Sequence, residues 1–140
     1  MKVLFVCRRN NGRSQLAKGL CSKVAGIDTD SAGIEVDSPG QLLRERALQP
    51  TSQVKYIIQV MDEVGVDVLE YARTSVENHD LSQYDKVVLL FEANKVPQDL
   101  AKLPNAEVWN IDDPQGKGLE AACRTRNLLE ALIGELALSV

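Results

Sequence analysis

The stretch VLFVCRRNNGRSQLAKGLC, residues 3–21, decides the fold of this chain. Its first four residues are apolar and mostly β-branched or aromatic, a pattern typical of a short strand buried on both faces. A polar stretch with one glycine follows from Arg8 to Gly12. From Ser14 onward, apolar side chains recur near the spacing of a helix. The stretch therefore predicts a strand, a tight loop and a helix in succession.

Three stretches downstream predict further short strands: residues 27–31, the apolar run 87–90 and residues 107–111. Two amphipathic segments predict helices: residues 51–63, which Gly65 ends, and residues 119–138. The polar segment 35–50 predicts a surface segment with at most a helical turn. Strands that alternate with helices indicate an α/β fold. We expect a single domain over residues 1–140, with a four-stranded parallel sheet and helices on both faces.

The composition restricts the class of protein. The 140 residues are 44% hydrophobic and 26% charged, which suits one globular core. No apolar run reaches the ~18–20 residues of a membrane span, and the start MKVLFVC is too short for a signal peptide. The net charge of −4 argues against a broad nucleic-acid footprint. We therefore expect a cytoplasmic protein that binds neither membrane nor nucleic acid, and the oligomeric state stays open.

The residues between the first strand and the first helix have the chemistry of an anion site. Three arginines concentrate positive charge in an otherwise acidic chain. Consecutive amides in such a turn can point inward, and the helix that follows adds free N–H groups and the positive end of its dipole. These features predict a phosphate-binding loop after the first strand. Its residues are Cys7, Arg8, Arg9, Asn10, Asn11, Gly12, Arg13 and Ser14.

Several residues of this Cys7–Ser14 loop have expected individual roles. Asn10, Asn11 and Gly12 tolerate the positive φ that a tight loop demands. The planar guanidinium of Arg13 suits a tetrahedral oxyanion in a bidentate manner. Ser14 is expected to cap the helix and can also donate a hydrogen bond to a neighbouring thiolate. The stretch lacks the Gly-x-x-x-x-Gly-Lys motif, so nothing supports nucleotide triphosphate binding.

The three cysteines are too widely spaced for a local zinc site or a dithiol pair. Cys21 and Cys123 fit the pattern of small buried hydrophobes in a reducing compartment. Cys7 differs, since thiols beside arginines and a helix N-terminus ionise more readily than free thiols. We predict that Cys7 is a thiolate nucleophile; the alternative is that it merely ends the buried strand. No His, Asp or Glu cluster has metal spacing, so neither a metal nor a cofactor is expected.

A thiolate that attacks phosphorus needs a partner that protonates the leaving group. Asp113 follows the last predicted strand and therefore lies at the same sheet edge as Cys7. Pro114 restrains it to extended geometry, whereas the neighbouring Asp112 should project elsewhere. The alternative is that both carboxylates are ordinary turn residues before a proline. His79 lies in a polar loop, where a solvated surface role is expected.

With these motifs the chain resembles the low-molecular-weight protein tyrosine phosphatases and their arsenate reductase relatives along nearly its whole length. The resemblance rests on Cys-x-x-x-x-x-Arg-Ser after the first strand, on Ser-Ala-Gly at residues 31–33, and on the Asp-Pro pair at residues 113–114. It implies a metal-free reaction in two steps, in which Cys7 forms a cysteinyl-phosphate. Asp113 would protonate the leaving oxygen and then activate water. Arg13 and the loop amides would hold the phosphoryl oxygens.

Individual positions refine this resemblance. Asn10 stands where the family has a loop-bracing asparagine. Gly12 replaces the second cysteine that many phosphatases carry, which removes the partner for a protective loop disulfide. Gln115-Gly116 replace the two tyrosines that grip a phosphotyrosine ring, so phosphotyrosine selectivity is not implied. Gln15 stands at a position where arsenate reductases have the same residue and phosphatases usually have proline. However, residues 91–95 lack the cysteines that thioredoxin-coupled reductases need.

Three functions stay open at this point. The leading hypothesis is a hydrolase, similar to the protein tyrosine phosphatases, that acts on a phosphorylated protein or a small phosphomonoester. The second is a single-cysteine arsenate reductase that uses an external low-molecular-weight thiol and a glutaredoxin-like partner. The third is a non-enzymatic anion sensor, which the joint presence of Cys7, Arg13 and Asp113 disfavours.

Overall fold

The computed structural model describes residues 1–140, and its strands and helices alternate for most of the chain. The strands are β1 (Lys2–Cys7), β2 (Asp28–Gly33), β3 (Lys86–Phe91) and β4 (Ala106–Asn110). The helices are α1 (Arg13–Cys21), α2 (Leu43–Arg46), α3 (Val54–Asp62), α4 (Gln98–Ala101) and α5 (Gly118–Ala137). Short 3-10 helices lie at Val76–Asn78, Leu81–Gln83 and Ala93–Lys95.

All strand pairs are parallel, and the sheet has the order β2-β1-β3-β4. The predicted four-stranded parallel sheet is therefore confirmed. β1 lies inside the sheet and is buried from Val3 to Cys7, as its apolar sequence predicts. Since parallel strands end at a common edge, the loop after Cys7 starts where ligands bind in sheets of this class.

Alternation along β1 divides the core into two layers. Val3 and Phe5 belong to the larger layer, which packs under α1, α3 and α5. Leu4 and Val6 belong to the opposite layer, which includes residues of β3 and is flanked by α4. Each fully buried side chain of this size contributes roughly 1.5–3 kcal/mol to stability. Helices thus cover both faces of the sheet, as predicted. None of them combines the length and apolar character needed to span a lipid bilayer.

The two largest differences between predicted and observed element boundaries are at α3 and β2. The helix expected from residue 51 begins at Val54, because residues 49–52 form a turn, in which the Ser52 N–H donates to the Gln49 carbonyl at 3.0 Å, and Ser52 Oγ accepts the Val54 N–H at 3.2 Å. β2 continues past residue 31 to Gly33, because the parallel register with β1 runs on to the pair Cys7 and Gly33.

Candidate active site

The Cys7–Ser14 loop joins β1 to α1 and turns through one left-handed residue. Asn10 has φ 57°, a conformation that asparagine tolerates better than most residues. Its Nδ2 donates to Ser14 Oγ at 2.8 Å, and its Oδ1 accepts the backbone N–H of Thr74 at 2.8 Å. Of the three residues expected to tolerate a positive φ, Asn10 adopts one, whereas Gly12 has a φ of −124°. One left-handed residue is sufficient for this turn.

The loop packs closely against β2 and is tied to it by a glutamine. A Cβ at Gly33 would lie 2.9 Å from the backbone carbon of Arg9 and 2.9 Å from the backbone nitrogen of Asn10. A side chain there would push the loop away from the sheet. Gln15 Nε2 donates to the carbonyl oxygen of Asn10 at 3.1 Å, and its Oε1 accepts from Ser31 Oγ at 2.9 Å. Gln15 thus has a structural role at the loop.

The Cys7 thiol lies at the base of the loop and is 3% exposed. Its Sγ is 2.9 Å from Ser14 Oγ, so the hydroxyl can donate a hydrogen bond to a thiolate, as expected. The predicted capping role of Ser14 is wrong. The helix begins one residue earlier, at Arg13, and Gly12 occupies the cap position without a side-chain hydrogen bond.

Arg13 reaches from the start of α1 to the ends of β3 and β4. Its Nη1 donates to the carbonyl oxygen of Ile111 at 3.0 Å. The guanidinium carbon lies 5.7 Å from the centre of the Phe91 ring. Glu92 Oε1 lies 3.7 Å from Nη1, and Asp113 Oδ2 lies 3.8 Å from Nη2. The side chain is 5% exposed, and these contacts hold it at the cleft that Cys7 also lines.

Asp113 faces the site from the loop that follows β4. Its Oδ1 accepts the backbone N–H of Gln115 at 2.9 Å, which leaves Oδ2 directed toward Arg13. Glu92, which the sequence analysis did not single out, accepts the backbone N–H of Asp113 at 2.7 Å. Burial opposes ionisation of Glu92, but this hydrogen bond and the charge of Arg13 lower its pKa below the usual value. Asp112 is exposed and makes none of these contacts.

A polar cleft of about 170 Å³ opens between the loop, the N-terminal part of α3 and residues 113–115. Most of the predicted site residues line it: Cys7, Arg8, Arg9, Asn11, Gly12, Arg13 and Asp113. Asn10 and Ser14 are fully buried, and their side chains brace the loop. Arg8 pairs with Glu35 at 2.9 Å in an exposed contact, whereas the exposed Arg9 makes no ion pair.

The expectation for His79 is wrong, because its side chain is only 12% exposed. Nε2 lies 2.9 Å from Thr74 Oγ1, and Nδ1 lies 3.0 Å from the Tyr84 hydroxyl. Thr74 in turn holds Asn10 through its backbone N–H. His79 therefore belongs to the polar support behind the loop.

Neither of the other cysteines lines the cleft. Cys21 is fully buried, and this burial raises the pKa of its thiol to about 11. Cys123 lies on α5, with its Sγ 3.4 Å from Arg126 Nη2. The structure contains no group of three or more His, Cys, Asp or Glu side chains that could hold a metal ion.

Inorganic phosphate is expected to bind in the Cys7–Ser14 loop at millimolar concentration, because most residues of this loop, Arg13 included, line one cleft. In a titration followed by backbone amide chemical shifts, residues 8–14 should respond first. Arg13→Gln should weaken binding roughly 10–100-fold. Arg124→Gln, a change at an exposed arginine on α5, is the matched control and should leave the affinity unaltered. A flat response of residues 10–14 would refute the anion site.

The model of the family described as low molecular weight phosphotyrosine protein phosphatase matches residues 2–140. A protein named glutaredoxin arsenate reductase, from Synechocystis sp. strain PCC 6803, is 32% identical over 136 residues, covering 96% of this chain and 95% of that protein. Similar structures include an arsenate reductase in the phosphate binding state (28% identity, TM-score 0.77, 99% and 98% of the two chains).

A low molecular weight protein tyrosine phosphatase from T. tengcongensis is also similar, with 26% identity and a TM-score of 0.79 over 100% of this chain and 99% of that one. The relatives therefore include proteins named for both activities. Because the family model matches residues 2–140 and one relative is 32% identical along nearly the whole chain, the chain belongs to the low molecular weight phosphotyrosine protein phosphatase family.

Proposed function

We propose that residues 1–140 act as one catalytic domain that hydrolyses phosphomonoesters through a cysteinyl-phosphate. The observation that carries this proposal is that the cleft contains one cysteine and an opposing carboxylate. Asp113 Oδ2 lies 3.8 Å from Arg13, and Cys7 is the single cysteine of the cleft lining. A nucleophile, an oxyanion-binding cation and a proton donor suffice for this chemistry.

In the first step the Cys7 thiolate attacks phosphorus, and the bond between phosphorus and the leaving oxygen breaks. Asp113 gives its proton to that oxygen, so the product leaves as an alcohol. Arg13 and the loop amides stabilise the charge on the three remaining oxygens. In the second step Asp113 takes a proton from water, which attacks phosphorus and breaks the bond to sulfur. Inorganic phosphate leaves, and Ser14 stabilises the thiolate of Cys7 that is restored.

The cleft walls favour small, polar phosphomonoesters over phosphotyrosine. Four arginines and one carboxylate, Arg8, Arg9, Arg13, Arg46 and Asp113, line the cleft. Its single aromatic side chain is Tyr56, so an aryl ring cannot be held between two aromatic faces. Positive charge at the walls attracts an anionic substrate.

A second candidate is arsenate reduction with an external thiol, which is favoured by the names of two relatives, a glutaredoxin arsenate reductase and an arsenate reductase. Here Cys7 would displace water from arsenate and form a sulfur–arsenic(V) bond. A small thiol would attack Cys7 Sγ, releasing arsenite and leaving a mixed disulfide, which a second thiol would reduce. The thiols supply both electrons, because Cys21 and Cys123 lie outside the cleft.

One pair of assays separates the two candidates. The purified protein should release phosphate from p-nitrophenyl phosphate and from glycerol phosphate when no thiol is added. A phosphine reductant keeps Cys7 reduced in this assay. Arsenate should not accelerate the oxidation of glutathione in the presence of glutaredoxin. Cys7→Ser provides the background in both assays. Arsenate-dependent thiol oxidation above that background, with ester hydrolysis at background, would replace the hydrolase by the reductase.

A further inference from the structure

Arg73 is the largest fully buried side chain of the protein, and it lies behind the Cys7–Ser14 loop rather than in the cleft. Its Nη2 donates to the carbonyl oxygen of Arg9 at 3.0 Å and to Asp37 Oδ1 at 2.7 Å. Its Nη1 donates to the carbonyl oxygen of Asp37 at 2.8 Å and to Gln41 Oε1 at 2.9 Å. The guanidinium thereby joins the loop to the segment that precedes α2.

The contact with Arg9 lies next to the left-handed residue of the loop. Arg73 holds the carbonyl before Asn10, and the N–H of Thr74 holds the side chain of Asn10. Two adjacent residues therefore fix both sides of the turn. Without Arg73, the peptide plane between Arg9 and Asn10 could rotate. Such a rotation would displace Asn11 and Gly12, which follow directly and line the cleft.

The positive charge of Arg73 is only partly neutralised. The one carboxylate in contact with it is Asp37, which is 62% exposed and also pairs with Arg46 at 3.1 Å. Hydrogen bonding by Arg73 lowers the pKa of Asp37 to about 2. The buried Nε of Arg73 has no hydrogen-bond partner. Burial lowers the pKa of Arg73, whereas Asp37 and a negative charge on Cys7 raise it. The guanidinium holds the carbonyl of Arg9, two residues after Cys7, so its charge lies behind the start of the loop.

We propose that Arg73 is a positioning residue for the Cys7 nucleophile. It locks the carbonyl of Arg9 so that the loop keeps its shape, and it supplies a buried positive charge on the side of the loop away from substrate. The inference rests on the role of Cys7 in the proposed function, and it holds for an attack on phosphorus or on arsenic. Its test measures the reactivity of the Cys7 thiol directly, so a failure of ester hydrolysis does not decide it.

Several other charged groups also influence Cys7. The cleft lining adds four arginines and one carboxylate: Arg8, Arg9, Arg13, Arg46 and Asp113. Behind the loop, Asp37 faces Arg73, and His79 is separated from the loop by Thr74. Each variant described below replaces a named residue and keeps the other charged groups. The titration of those groups therefore contributes equally to the pH dependence measured for each variant.

The experiment is the rate of alkylation of Cys7 by iodoacetamide between about pH 5 and 9, followed by mass spectrometry of the Cys7 peptide. Arg73→Gln should move the profile to higher pH and lower the rate near pH 6 by about tenfold. Arg73→Lys keeps the charge, so its profile should stay near that of the unaltered protein. The affinity of the Arg73→Lys variant for inorganic phosphate should fall, because an ammonium group cannot hold Arg9 and Asp37 together.

Asp37→Asn gives the decisive contrast, because it leaves Arg73 in place and removes its neutralising charge. Since Asp37 also pairs with Arg46 of the cleft lining, the comparison is made in an Arg46→Gln background. The alkylation profile should then move to lower pH, opposite to the shift in Arg73→Gln. A purely structural role predicts that both variants loosen the loop and shift the profile in the same direction, which would overturn the inference. An unmoved profile in Arg73→Gln would do so as well. If Arg73→Gln does not fold, Asp37→Asn decides alone: a shift to lower pH supports the inference, and any other result overturns it.

Discussion

Replacement of Cys7 by serine is expected to lower kcat for phosphomonoester hydrolysis by at least about 10³-fold while the fold is retained. A serine hydroxyl stays protonated at neutral pH, and no base in the site compensates, since the neighbour at 2.9 Å is the hydroxyl of Ser14. The change from sulfur to oxygen leaves the backbone pairing of β1 with Gly33 unaltered. Thermal unfolding followed by circular dichroism verifies that the variant is folded.

The other two cysteines provide the controls. Cys123→Ser and Cys21→Ala should keep most of the activity, because neither residue lines the cleft. Alanine is used at position 21 because this site is fully buried and a hydroxyl there would need a hydrogen-bond partner. If either control is folded and as inactive as Cys7→Ser, the assignment of a single catalytic cysteine is wrong.

Asp113→Asn is expected to slow hydrolysis of alkyl phosphates by roughly 10²–10⁴-fold. The amide keeps the shape of the side chain, including the acceptor oxygen for the Gln115 N–H, but it has no proton to give. The loss should be much smaller for dinitrophenyl phosphate, whose leaving group departs without a proton. The ratio kcat/KM for a series of esters with different leaving groups measures this difference, because it reports the first step alone and not the hydrolysis of the cysteinyl-phosphate, in which Asp113 acts as the base.

Asp112→Asn is the matched control for the acid. Asp112 is exposed and lies outside the cleft lining, so its replacement should have little effect on any ester. Equal effects of the two substitutions, or a loss at Asp113 that does not vary with the leaving group, would make both residues ordinary turn carboxylates. Such a result would remove Asp113 from the mechanism and weaken the hydrolase proposal.

The sequence predicts the part of the site that depends on local chemistry and on topology. The apolar run before Cys7 and the polar loop after it specify a strand that ends in a turn, and the structure has both. Cys7 and Asp113 are far apart in the chain, yet they were expected at one edge because parallel strands share their carboxyl ends. The structure places both in the lining of one cleft.

The support behind the loop could not be predicted, because its contacts join distant segments. In the sequence, Arg73 and Glu92 look like ordinary surface charges. In the structure, Arg73 donates to the carbonyl of Arg9, and Glu92 accepts the N–H of Asp113. His79 was misplaced for the same reason, since its polar neighbours in sequence gave no sign that its ring packs against Thr74 and Tyr84. Of the two roles expected for Ser14, the contact with the thiol is present and the helix cap is not, because α1 already begins at Arg13.

The position of β4 at the edge of the sheet has a consequence for the life of the newly made chain. β4 pairs only with β3, and the carbonyl that anchors Arg13 and the carboxylate of Asp113 come immediately after it. Asp113 is synthesised 106 residues after Cys7, an interval of about 5–20 seconds at typical rates of translation. Parallel pairing between distant segments then adds its own delay. During this time the Cys7 thiol of the nascent polypeptide is open to oxidants and alkylating agents. Protection of Cys7 from alkylation by phosphate is therefore expected only after β4 has docked.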